Sequence, residues 1–211
     1  MLDVHPPHHA ATTWRDFFIH IATIVVGLLI AVGLEQSVEA IHHRHQRAET
    51  RENLIEEVTQ NREILARDIG SLNSEQKMLE ADIEILHQLR ARKSVPPGSL
   101  HFNWAWNSMH DSAWQTARET TAIALFPTAQ IQGYSTAYSQ QSFVNEAGVG
   151  VGHAITETSV TLRIQPDLSA LTPAQIDDLT RGCASALNRI EFAQVLIDNL
   201  EPKYREVIDK F

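Results

Sequence analysis

The chain has one cysteine, Cys183, in 211 residues. This excludes an internal disulfide framework and a cysteine-built metal cage within one chain. It has no excess of basic charge. With 17 Lys and Arg against 26 Asp and Glu, the formal charge is -9, which argues against a broad nucleic-acid surface. Apolar residues at 43% and charged residues at 20% do not fit a disordered chain. Proline is absent between Glu35 and Lys93, and no segment of convincing length shows the two-residue period of a strand. The fold class expected is therefore all-α.

The most informative absence is local. Residues 17–34, FFIHIATIVVGLLIAVGL, contain no formally charged side chain. A helix of this length spans roughly 27 Å, close to the hydrocarbon thickness of a bilayer. His20 and Thr23 are its only polar side chains, and Trp14 stands one turn before it as an interfacial anchor. No small-x-small cleavage site follows, and the run is longer than the apolar core of a signal peptide, so an uncleaved anchor is expected over residues 14–36. Thr23, Gly27 and Ala31 recur every four residues, a small-residue strip of the kind that lets membrane helices self-associate. The bilayer and a homodimer partner follow from these two readings. Arg15 before the span and Arg44, Arg47 and Arg51 after it would, counted literally, place the following domain in the cytoplasm.

Residues 1–13, with two prolines and three histidines, read as a disordered tail. From 37 to about 93 the composition favours one long helix. A three-four alternation runs Ile55, Val58, Arg62, Leu65, Ile69, Leu72, Gln76, Leu79, Ile83, Leu86, a coiled-coil-like seam with its charges expected on a solvated outer face. Gly70-Ser71 is its weak point, a kink or short turn. SVPPGS at 94–99 breaks the helix. Residues 94–164 then carry only six formal charges, and Trp104, Trp106 and Trp114 cluster there. Asp111 or Ser112 is expected to cap a helix over about 111–125. Pro127-Thr128 opens another to about 162, with GVGVG at 148–152 as a close-packing site or a local break. Thr172-Pro173 starts a last helix over about 172–210, in which Pro202 should introduce a kink. The domain expected over 37–211 is a helical bundle.

Chemistry-bearing patterns are few. Glu39-x-x-His42 and Glu84-x-x-His87 have the spacing of carboxylate-bridged metal sites, but a site would need two further inward carboxylates, and no metal is expected. His42, His43 and His45 read as a polar collar beside the membrane. Cys183 falls on the apolar stripe of the last helix, as a small core residue. Ser108 and Ser112 have His101 and His110 nearby in sequence but no nucleophile elbow. No catalytic residue and no cofactor is expected. Trp104, Trp106 and Trp114 are the candidate surface for a ligand or protein partner.

The segments WRDFFIHIATIVVGLLIAVGLEQ and SAWQTARETTAIALF, followed by a tyrosine-rich helix, resemble a group of uncharacterised bacterial membrane-anchored proteins. The resemblance spans most of the chain and implies a single-pass inner-membrane protein with a helical domain. It implies a cytoplasmic N-terminal tail and an extracytoplasmic, periplasmic domain, against the arginine count. It brings no catalytic residues. The function expected is a non-enzymatic interaction or scaffolding role. A ligand-sensing bundle is the first alternative, requiring a polar-lined cavity near Trp104 to Tyr138. A metal-dependent enzyme is the second, requiring convergence on Glu84 and His87.

Overall fold

A computed structural model describes residues 14–210. The tail expected over 1–13 lies outside the described residues. The chain divides into two units, Met1–Glu49 and Thr50–Phe211. The fold is an all-α, four-helix bundle: α1 (Trp14–Arg90), α2 (Ser112–Glu119), α3 (Thr128–Ile164) and α4 (Pro173–Lys210), with no strand among the described residues.

In the first unit, α1 carries the apolar segment, and its best 18-residue window has a mean hydropathy of 2.6 with none of it buried. By length and composition this helix can cross a membrane. Trp14, Phe17 and Phe18 group at its start, with Trp14 and Phe17 stacked at 5.5 Å. Thr23 and Ser37 return their hydroxyls to the carbonyls of Ile19 and Gly33 at 2.8 and 2.7 Å, so neither needs water.

In the second unit, α1 continues through Gly70-Ser71 without a break. Ser74 bonds back to the Gly70 carbonyl at 2.9 Å, and Leu72 is buried just beyond, so the packing of the flanking turns overrides the weak propensity of the pair. The helix ends at Arg90, and Arg92 takes a left-handed conformation (φ 57°) that turns the chain into the breaker.

The expected helix over 111–125 is shorter. α2 stops at Glu119, Thr121 adopts φ 58°, and a single 3₁₀ turn covers Ala122–Leu125. The β-branched pair Thr120-Thr121 sits at the break. The turn places Ala122 and Phe126 in the core, where Phe126 meets Tyr134 edge-on at 6.3 Å. α4 begins with a capping box: Gln175 N–H donates to Thr172 Oγ1, and Thr172 N–H donates to Gln175 Oε1 at 2.8 Å. It continues past Pro202 to Lys210.

α3 and α4 pack directly against each other. Glycines sit at the contact: a Cβ on Gly182 would lie 2.3 Å from Thr158 Oγ1, and one on Gly150 would lie 3.3 Å from Arg189 Nη1. The second-unit part of α1 runs antiparallel to α4. Arg90 pairs with Asp177 at 3.2 Å, and Gln194 donates to Gln76 at 3.1 Å further along.

Candidate functional site

The side of α1 that faces the rest of its unit is not the one the alternation selects. Val58, Leu65, Leu72, Leu79 and Leu86 are buried as expected. Their companions Ile55, Arg62, Ile69, Gln76 and Ile83 are only half-buried. One residue back, a second heptad column is buried instead: Leu54, Asn61, Asp68, Glu75 and Asp82. Four of its five members are polar. The charges on α1 are therefore not confined to a solvated face.

The reason is what packs against that column. Residues 100–111 have no helical structure and lie along α1 as a strap. Asp82 accepts the His101 N–H at 3.2 Å. Asp68 accepts both the backbone N–H of Asn107, at 3.3 Å, and its side-chain amide, at 2.9 Å. Asn61 accepts the His110 N–H at 2.8 Å and donates back to the His110 carbonyl at 2.6 Å. Seven residues of helix rise about 10.5 Å, and three residues of extended chain span about 10 Å. The helix thus advances by seven while the strap advances by three, and the column keeps meeting strap backbone. A strap has no helical or sheet partner for its N–H groups, so side-chain acceptors supply them, from α1 at His101, Asn107 and His110 and from Asn145 of α3, which accepts the Met109 N–H at 3.0 Å.

At the end of the column, Glu57 takes over the start of α2. It accepts from Ser112 Oγ and Ala113 N–H, both at 2.8 Å, from Trp114 N–H at 3.4 Å, and from Tyr138 OH at 2.7 Å. Asp111 occupies the cap position, but its side chain makes no cap bond. It accepts from Gln115 instead. The cap comes from a residue more than fifty positions away. From the other side, Gln141 on α3 donates to the His110 carbonyl and accepts from Tyr204 of α4, so the 110 region is tied to three helices.

Glu75 is the exception. By register it faces residue 104, yet its Oε1 is buried without a hydrogen-bond partner. Burial, and then the nearby Asp82 charge, push its carboxyl up to about 7. Burial also raises Asp68 and Asp82, against the lowering effect of their bonds to Asn107 and His101. Cys183 lies buried in the same core, where burial and the charges of Asp82 and Glu75 push its thiol up to about 12.

On its opposite side the strap meets α3. Leu100, Phe102, Trp104 and Trp106 alternate inward. The two indoles stack at 6.0 Å and 5°. They fit because α3 offers notches: a Cβ on Gly148 would lie 2.1 Å from Trp106 Cε2, and one on Gly152 would lie 2.4 Å from Trp104 Cδ1. The GVGVG run is thus a close-packing site within an unbroken helix.

The three tryptophans do not share one surface. Trp104 and Trp106 line an open groove of about 600 Å³ with Asn107, His153 and Arg163. Trp114 is buried, stacked on Tyr138 at 5.4 Å, beside a separate groove of about 590 Å³ lined by Asp111, Arg118 and Ser135. Thr23, Gly27 and Ala31 lie on the exposed apolar part of α1, and nothing approaches within 4 Å of a Cβ placed on Gly27. His43 lies 3.9 Å from Glu39. Among the described residues, no group of three or more His, Cys, Asp or Glu side chains converges to hold a metal. Ser112, considered above as a nucleophile, is engaged in capping with Glu57.

No protein-family model, curated protein or solved structure was found to match this chain.

Two patterns in the sequence mark this site. One is the heptad Asn61, Asp68, Glu75, Asp82. The other is the alternation of Leu100, Phe102, Trp104 and Trp106.

Proposed function

We propose that this protein is a single-pass, non-enzymatic interaction module of the bacterial inner membrane, with its helical domain on the extracytoplasmic side. One observation carries the reading. Twelve large apolar side chains between residues 17 and 34 are exposed, while the 50–211 unit has a core of its own. Leaving such side chains in water instead of an apolar medium costs roughly 1.5 kcal/mol each, on the order of 20 kcal/mol in total. That exceeds the whole stability of an ordinary domain, about 5–15 kcal/mol. The segment therefore calls for an apolar solvent, and its length matches a bilayer.

In the helical domain an aromatic strap is held between α1 and α3. Trp104 and Trp106 stay half-exposed over a groove, the kind of rigid apolar surface from which protein contacts are made. The resemblance to bacterial membrane-anchored proteins favours the extracytoplasmic side.

Two measurements on the full-length chain check this. After carbonate extraction the protein is expected in the membrane pellet, and release into the supernatant would refute the anchor. An alkaline phosphatase fused after Phe211 is expected to be active, and an inactive fusion of equal abundance would reverse the orientation.

A further inference from the structure

A third groove, away from the strap, lies between α3 and α4 and has a volume of about 570 Å³. Phe143 from α3 and Phe192 from α4 line it, and both are exposed, by 52% and 61%. Single exposed apolar residues are ordinary, but two phenylalanines from adjacent helices on one groove, together with Leu196, form a patch. The groove also carries one anion, Glu146, and one cation, Arg189. Among the described residues neither forms an ion pair within 4.0 Å.

We propose that a second copy of this chain docks on this groove about a two-fold axis. A two-fold interface sets one patch against itself, so the patch must complement its own rotated image. An apolar centre carrying one charge of each sign does so: Glu146 meets the partner's Arg189 while Arg189 meets the partner's Glu146. The balanced signs do not favour an anionic lipid surface or a strongly charged peptide, either of which would be matched by charges of one sign.

Size sets the strength of the contact. A phenylalanine buries roughly 150–250 Å². Two per copy with their neighbours stay below the roughly 800 Å² per partner of a standard stable interface. The dimer is accordingly weak in free solution and forms when both copies are confined to one bilayer, where confinement raises their effective concentration. For its strength, though not for its geometry, the inference rests on the membrane anchor proposed above.

The test uses full-length chains with donor or acceptor fluorophores at the C-terminus, reconstituted in phosphatidylethanolamine–phosphatidylglycerol vesicles. Wild-type chains are expected to show Förster transfer above the level of random proximity. E146R alone and R189E alone each create two like-charged contacts and should weaken association roughly tenfold. Mixing E146R donors with R189E acceptors restores both pairs and should return transfer to the wild-type level. Both sites are exposed, and unchanged melting of the single variants verifies their folding.

Three results overturn the proposal: wild-type transfer at the random level, the outcome if lipid or another protein occupies the groove; single variants with undiminished transfer, the outcome if copies associate elsewhere; or a mixture that fails to recover. Carbonate treatment of the same vesicles separates the two readings. A chain that carbonate releases from vesicles that showed transfer before treatment ends the anchor alone. A retained chain without transfer ends the interface alone.

Discussion

Glu57→Ala is expected to lower the stability of the 50–211 unit by about 4 kcal/mol, the largest effect of any single carboxylate in the chain. Glu57 is buried, and its two oxygens accept from Ser112, Ala113, Trp114 and Tyr138. Truncation removes the cap of α2, worth about 1 kcal/mol by itself. It also leaves several buried donors without an acceptor, each costing about 1–3 kcal/mol less whatever entering water recovers. For a unit of this size the melting temperature should fall by on the order of 12 °C. Glu56→Ala, one residue away and exposed, is the matched control and should shift stability by less than about 0.5 kcal/mol. Thermal and urea unfolding followed by circular dichroism give both values. Equal melting of the two variants would remove Glu57 from its place as the α2 cap.

The second large effect is on pH dependence. Glu75 ionises near 7 in the folded protein and near its ordinary value of 4.5 when unfolded. A folded-state value raised in this way favours the protonated form. Relative to an ionised Glu75, the folded state is stabilised fully below about pH 4.5, and that stabilisation is lost as pH rises through about 7. Asp68 and Asp82 are raised as well and push in the same direction. The groups facing Glu75 do not offset it. Asp82 adds negative charge, and the Cys183 thiol stays protonated throughout the window.

The unit is therefore expected to be more stable at pH 5 than at pH 8. Glu75→Gln removes the buried charge, should stabilise the unit at pH 8 by up to about 3 kcal/mol, and should flatten most of the slope. Urea midpoints of the wild type and the variant at the two pH values decide it. A wild type equally stable at both, or a variant with the wild-type slope, would show that Glu75 is not held as a buried, unpaired carboxyl.

Where immediate neighbours decide a conformation, the sequence is legible: the charge-free run is helical and long and apolar enough to cross a membrane, and Thr172-Pro173 opens α4. A charge-free run of 18 residues and a capping Thr-Pro pair act through their immediate neighbours. So does the apolar stripe of α4, in which Ile176, Cys183, Ile190 and Tyr204 are buried and Leu187 is half-buried. The α1 surface was not legible in the same way. A heptad reading assumes a partner helix with apolar knobs, and that assumption selects Ile55, Ile69 and Ile83. An extended backbone instead presents unpaired N–H groups, so the column that turns inward is the one with acceptors, Asn61, Asp68 and Asp82. Seeing this needs the seven-residue step of α1 matched to the three-residue step of His101, Asn107 and His110, a pairing across 19 to 49 positions. Likewise, Gly148 and Gly152 look like weak points until Trp106 and Trp104 are laid in the notches they leave.

The anchor itself is best tested by placing a probe inside it. A nitroxide attached at Val26→Cys, in a Cys183→Ala background and in phospholipid vesicles, reports which relaxing agents reach the middle of the 17–34 segment. A lipid-embedded Val26 gives frequent collisions with dissolved oxygen and almost none with a water-soluble nickel chelate. The same label at Glu52→Cys, beyond the apolar run, gives the reverse. Nickel collisions at position 26 as frequent as at position 52 would contradict the placement of this segment in a bilayer.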